Sequence, residues 1–379
     1  MWKKSFYITF FSIFIFLSMN IYAFRYSGTD IKVIGSISEM YIDNITYTSQ
    51  KQKKDDFITN FILGLSLKHE KKTEILDFSG NINQQIFLDN HSFNNNSQYF
   101  NLFYKRELSK YIRFQLKNFF IHYIEPRSFE YEFGRTGGRY SYYHNKLNFN
   151  CTQDLSKELT INVHYANHLN NVSRKNLSDS YLNSIGIKTS YLFSSTSILS
   201  LLYDFTHKKY NNPDNTNYIY HPALCYQQYF TKQLYSTSTL GLDFIKSSND
   251  KNYTKPVFLT ALTDTIDNRS TLKLLFSIRN HPQSHSQNIT KEWKISCFFI
   301  MKLLKKMTYS FSSFYGHGKY ISTESKKTYN LNGLHTSLNY EFWNNIKGIL
   351  EYTYSISKSS DNSNNYIRNK IFLGLTIVL

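Results

Sequence analysis

The sequence predicts an all-β fold, a transmembrane antiparallel up-and-down β-barrel of roughly 16–18 strands. Three observations carry that expectation. Apolar and polar residues alternate with period two in one segment after another. Short and long polar connections alternate between those segments. The final residues, "NKIFLGLTIVL", are themselves an alternating strand. There Ile371, Leu373, Leu375, Ile377 and Leu379 share one parity, while Lys370, Phe372, Gly374, Thr376 and Val378 share the other. In water such a strand would leave a sticky, unpaired edge. Pairing it with the first strand, near 31–42, and turning its Ile/Leu face to lipid removes the edge.

The alternation recurs along the chain. In "EILDFSGNINQQIFL", Leu76, Phe78, Ile82 and Ile86 stand against Asp77, Ser79, Asn81 and Asn83. In "ELTINVHYANHL", Leu159, Ile161, Val163, Tyr165 and Leu169 alternate with Thr160, Asn162, His164, Ala166 and His168. "STLKLLFSIRN" and "NIKGILEYTYSI" repeat the pattern, with Lys273, Arg279, Lys347 and Glu351 on the polar parity. Strands with one apolar and one polar face suit a barrel, which puts lipid outside and a polar lumen inside. A soluble sandwich would need a common apolar core.

The connections fall into two sets. Short ones enclose a few polar residues between apolar ends: 108–112, 155–159, 192–198, 230–234, 303–307 and 342–346. Long polar ones come between them: 88–98, 125–138, 169–180, 207–217, 246–254, 280–288, 316–327 and 358–365. Tight periplasmic turns at one rim and longer extracellular loops at the other are the layout of an outer-membrane barrel. An even strand count puts both ends at the periplasmic side.

The N-terminus "MWKKSFYITFFSIFIFLSMNIYA" has Lys3 and Lys4, an apolar run from Ser5 to Met19, and a small residue at Ala23. That is the order of a secretory signal peptide, so the expected division is a leader over 1–23 and one barrel over 24–379. No later run approaches eighteen apolar residues, which excludes helical spans there. Tyr and Phe number 32 and 31 against 5 Pro, which favours strands and membrane interfaces over irregular coil. The formal charge of +17 falls to +15 without Lys3 and Lys4. The basic residues are scattered, without a cluster or nucleic-acid motif, and the leader points out of the cytosol, so nucleic acid is not an expected partner. Cys151, Cys225 and Cys297 are far apart and odd in number, and show neither a disulfide framework nor a metal motif.

The segment "YIDNITYTSQKQKKDDFITNFILGLSL" (41–67) resembles the opening of the β-barrel porin 2 family of Gram-negative outer-membrane proteins. The likeness lies in Asp43-Asn44-Ile45, Asp55-Asp56-Phe57 and the strand through Leu63-Gly64-Leu65. It implies a porin-like protein of the bacterial outer membrane, linked to exopolysaccharide export. The physical content is a first outer loop bracketed by carboxylates. Barrels commonly end on Phe or Trp, whereas this chain ends on Leu379.

The chemistry is that of a channel. There is no Gly-x-Ser-x-Gly elbow, His-Glu-x-x-His or phosphate-binding glycine loop, and no cofactor is implied. Arg113, Lys117, Asp204, Asp243, Lys273, Arg279, Lys347 and Glu351 share parity with polar neighbours and are expected to line the pore. Reversing that parity would place Lys and Arg in lipid at about 2–4 kcal/mol each near the midplane. The connection 125–138 is the longest and mixes Glu125, Arg127, Glu130, Glu132 and Arg135 with aromatics, and folds inward as a constriction or packs at the rim. Outer-membrane lipid, the barrel assembly machinery and a small polar or anionic solute or saccharide are the expected partners. Two other readings stand beside the channel: a hydrolase at the outer rim, using histidines such as His122, His164, His168 or His207, and an adhesin or structural barrel working through its loops.

Overall fold

The computed structural model describes residues 24–26, 28–49, 52–124, 141–173, 177–211, 214–248, 252–282, 289–321, 327–360 and 365–379. The strands along the first half are β1 (Phe24–Tyr26), β2 (Thr29–Ile42), β3 (Asp56–Lys71), β4 (Glu74–Phe87), β5 (Asn95–Glu107), β6 (Ile112–Tyr123), β7 (Tyr142–Asp154), β8 (Leu159–Val172) and β9 (Ser180–Ser194). The rest are β10 (Ser197–Asn211), β11 (Asp214–Tyr229), β12 (Leu234–Ser247), β13 (Tyr253–Asp264), β14 (Ser270–Pro282), β15 (Ile289–Leu304), β16 (Met307–Tyr320), β17 (Thr328–Trp343), β18 (Ile346–Ser359) and β19 (Tyr366–Val378). Each pairs antiparallel with the next, and β19 returns to β2, from Lys370↔Ile42 to Val378↔Ile34. The result is a closed barrel of 18 strands, β2 to β19, with the short β1 lying on the start of β2. The expected strand range and the pairing of the last strand with 31–42 both agree with this.

Parity assigns the two faces. Leu63, Leu201, Leu240 and Leu373 are 60–66% exposed, and each shares its side of the wall with other large exposed apolar residues. Residues of the opposite parity in the same strands point the other way, and Asn60, Ser200, Asp243 and Arg368 among them are buried. The first set is the outer face, fit for lipid, and the second is the inner wall.

The connections contract relative to expectation. The polar stretch 207–217 is strand up to Asn211 and again from Asp214. Likewise, 169–180 is strand to Val172, and 316–327 is strand to Tyr320. Backbone pairing continues past the apolar band, because a ladder satisfies N–H and C=O groups whatever the side chains are. Two short turns escaped the sequence pattern, Lys72-Thr73 and 265–269. Short and long connections alternate from β2 to β10, but the β10–β11 connection is no longer than the turn before it, nor the β12–β13 connection than the turn after it.

One ladder is interrupted. Between β11 and β12 the register runs from Tyr220↔Phe244 to Ala223↔Gly241 with no pair between them. Pro222 sits in that gap and has no N–H to donate.

Candidate functional site

The inner wall is polar over most of its height and most closely packed near the long-loop rim. There residues 43–49, at the start of the first outer loop, turn inward. Ile45 is fully buried against Met40, Ile42, Ile58 and Phe87, all inward-facing. Asn44, also fully buried, donates from Nδ2 to the carbonyls of Thr48 (2.7 Å) and Ile367 (3.1 Å). Tyr47 has φ +54°, a left-handed conformation that costs a bulky residue about 1–2 kcal/mol. It is held there by Arg368, whose guanidinium lies 4.4 Å from the ring centroid, and by the edge of Tyr366. The loop thus packs on the inner wall instead of standing out from the rim.

The carboxylates that bracket this loop bind neighbouring segments. Asp43 accepts the backbone N–H and side-chain amide of Asn369 at 2.7 and 2.8 Å, tying the loop to β19. Asp56 is buried and accepts the backbone N–H groups of Leu88, Asp89 and Asn90 at 3.0, 3.1 and 2.8 Å. One side chain therefore organises the second outer connection.

Beneath the loop is a cavity of about 320 Å³ bounded by β2–β6, β18 and β19. Its wall carries Asn60, Asn81, Asn83, Gln85 and Gln98, the aromatics Tyr99, Tyr123 and Phe372, and the charges Glu351, Arg368 and Lys370. Gln85 donates to Asn60 at 2.8 Å. Clustered amides beside aromatic rings can hydrogen-bond hydroxyls and stack on apolar sugar faces, and the two cations can hold a carboxylate.

The register sets all eight residues expected on the pore-lining parity on the inward side, but spreads them around the barrel. Arg113 donates to Asp154 at 2.8 Å, near the short-turn rim. Lys117 lies 5.6 Å from the Phe103 ring centroid. Lys273 faces Thr263 and Phe298, and Arg279 faces Glu292. Lys347 is 3.3 Å from Glu341. Glu351 alone of the eight borders the cavity. Residues 125–138, with Glu125, Arg127, Glu130, Glu132 and Arg135, lie outside the described residues, as does the segment 1–23 expected to be a leader.

Asp204 and Asp243 belong to a band of His/Asp contacts across β8–β12. His164 Nε2 is 2.6 Å from Asp204 Oδ1 although β9 runs between them, because Gly186 leaves the gap open. This is a charge contact when the imidazole is protonated, since its alignment falls short of a hydrogen bond. His221 Nδ1 contacts Asp243 Oδ1 at 2.7 Å, and Asn280 donates to Asp243 Oδ2 at 3.1 Å. Asp204 and His221 are direct cross-strand partners, so the two pairs adjoin. Of the other three histidines named in the sequence, His168 points inward, whereas His207 points outward, against Tyr218. His122 also points outward, stacked on Tyr143 and 2.9 Å from Ser141 Oγ. Among the described residues no group of three metal-ligating side chains converges.

Sequence reasoning did not single out Tyr47, Arg368 or the amide cluster. The carboxylates at 43, 55 and 56 were the available signal for the loop, but they do not show which way it turns.

No family model matches the chain, and no curated protein does. Solved structures do match. OccAB4 of Acinetobacter baumannii is 11% identical over 92% of this chain and 98% of its own, with a TM-score of 0.50. OccK2 (OpdF) of Pseudomonas aeruginosa, solved with glucuronate, is 11% identical over 93% and 98%, also at 0.50. The outer-membrane protein OpdK of Pseudomonas aeruginosa is 12% identical over 92% and 98%, at 0.48. The chain folds as an outer-membrane porin-type barrel. At such identities the likeness is one of fold.

Proposed function

We propose that this barrel is a porin-like channel of the bacterial outer membrane for passive passage of small polar or anionic solutes, saccharides among them. The observation that carries the reading is the cavity beneath the inward loop, where Arg368 and Lys370 stand among amides and aromatics. Elsewhere on the inward parity stand Lys146, Lys255 and Lys294, with Lys255 directly opposite Asp243, beside the carboxylates Asp204 and Glu292. Charged groups lining a pore set selectivity through their local field, and this set favours anions. The eight residues of the polar parity, Arg113 to Glu351, are the proposed remainder of the lining.

The glucuronate held by one structural neighbour is an acidic sugar, the kind of solute that amides plus cations would select. The resemblance of 41–67 to β-barrel porin 2 proteins supports a saccharide cargo as well, with exopolysaccharide export as its setting. The hydrolase alternative has one observation in its favour, the Ser141–His122 contact. It lacks the third group that orients a catalytic base, since no carboxylate or amide bonds to His122 among the described residues.

Reversal potentials in planar bilayers under a KCl gradient test the channel reading. The expected result is anion preference that weakens in the Arg368→Gln/Lys370→Gln variant. Cation preference in the wild type overturns the anionic assignment, and absence of conductance overturns the channel itself. Swelling of protein-loaded liposomes in glucuronate against a neutral sugar separates the two solute classes.

A further inference from the structure

The outer face carries charge at a place where its register works against it. Lys291 on β15 and Lys319 on β16 are direct cross-strand partners. Below them on the same face come Trp293 with His317, then Ile295 with Tyr315. Ile295 is 52% exposed and Tyr315 41%, which marks this as the lipid-facing parity. Two strands further on, Lys358 of β18 faces Asn330 of β17, and Asn330 in turn faces His317. Three lysines therefore span β15 to β18: Lys291 and Lys319 one step above an aromatic row, and Lys358 in line with that row two strands on.

The aromatic row is tightly organised. The Trp293 and Tyr315 rings are 5.3 Å apart, and the Trp293 and His317 rings are 6.2 Å apart. His317 Nδ1 and the Tyr315 hydroxyl both contact Asn330 Oδ1, at 2.8 and 3.4 Å. The three lysines are all exposed. None has an ion-pair partner among the described residues, whereas Lys105 and Lys347 reach Glu107 and Glu341.

Like charges directly opposite one another destabilise a ladder unless an anion lies between them. Two residues above Trp293 is about 7 Å along the strand, the headgroup side of an aromatic belt. In an outer membrane that level of the outer leaflet presents phosphate groups. A lysine ammonium binds phosphate as a compact point charge. We propose that Lys291, Lys319 and Lys358 form a site for the phosphorylated headgroup of outer-leaflet lipopolysaccharide, with Trp293 and Tyr315 packed at its sugar–acyl junction.

The test compares the full-length wild type with a Lys→Gln triple variant and a Lys→Arg triple variant at 291, 319 and 358, in detergent. Three probes are used: lipopolysaccharide, the same glycolipid with its phosphates removed, and inorganic phosphate as competitor. The Gln variant should bind lipopolysaccharide about a hundredfold more weakly, from three lost cation contacts, while the Arg variant stays near wild type. The dephosphorylated glycolipid should bind the wild type as weakly as the intact one binds the Gln variant. Equal binding by wild type and Gln variant overturns the site, and so does equal binding of the two glycolipids. Displacement by millimolar inorganic phosphate overturns the lipid assignment in favour of a free-anion site. Heat-modifiable gel mobility reports folding. If the triple Gln variant does not fold, Lys319→Gln alone decides, with about a fivefold loss expected.

Discussion

Gly186 shows how one missing side chain can set the chemistry of the inner wall. His164, Gly186 and Asp204 are direct partners across two successive ladders, so the imidazole and the carboxylate stand two strands apart. They meet only because nothing occupies the middle position. A Cβ at 186 would collide with both the Asp204 carboxylate and the His164 ring. Gly186→Ala should therefore destabilise the barrel by about 1–3 kcal/mol, the usual cost of overpacking. The midpoint of heat-modifiable mobility in detergent measures this, and an unchanged midpoint would mean that the wall adjusts freely there. Asp56 offers the opposite case, a side chain with several dependants. Asp56→Ala strands the backbone N–H groups of Asp89 and Asn90, each costing about 1–3 kcal/mol where water cannot reach it, while that of Leu88 keeps the Phe57 carbonyl at 3.0 Å. Protease sensitivity should appear within 88–94 while the rest of the barrel stays resistant.

At the level of elements, strands were legible and loops were not. Period-two alternation found the strand through Leu159–Leu169 with both faces correctly assigned, because lipid outside and polar groups inside impose opposite demands on successive residues. The same rule fails above the apolar band, where both faces are polar. That is why 207–217 read as a loop although its residues pair up to Asn211 and from Asp214. The turn at Lys72-Thr73 was hidden within the charged run "HEKKTE", which lacks the apolar flanks of the other turns. The inward course of 43–49 depends on contacts distant in sequence, Ile45 with Phe87 and Tyr47 with Arg368, that no local pattern encodes. The Tyr47 contacts also make the loop testable. Tyr47→Ala removes the ring clasped by Arg368 and Tyr366, and Arg368→Gln removes the cation from the other side. Both variants should raise single-channel conductance if the loop narrows the mouth. Conductance unchanged in both would place the limiting constriction elsewhere in the lumen.

For the whole molecule the decisive bonds are those that close the ring. The apolar final strand made sense only as a partner for the first, and the β19–β2 seam supplies that pairing. At its lower end Val33 and Leu379 exchange reciprocal backbone hydrogen bonds at 2.9 and 2.8 Å. Ser36 donates to the Leu375 carbonyl at 3.0 Å, and the upper end is clasped by Asp43 and Asn369. In lipid, an open seam would leave two strand edges with no water to satisfy them, at several kcal/mol for each stranded group. The clasp and the ladder should therefore fail to different degrees. Asn369→Ala removes one side-chain donor to Asp43 but keeps every ladder bond, so the barrel should still form, destabilised by about 1–2 kcal/mol. Deleting 371–379 removes the ladder itself and should abolish the heat-modifiable folded species, in vitro as well as in cells. Refolding into lipid vesicles without any assembly machinery separates the physical requirement from the cellular one. If the truncated chain folds in vesicles yet fails in cells, the last strand acts mainly as an assembly signal. If it folds in both, closure through β19 and β2 is not what stabilises the barrel.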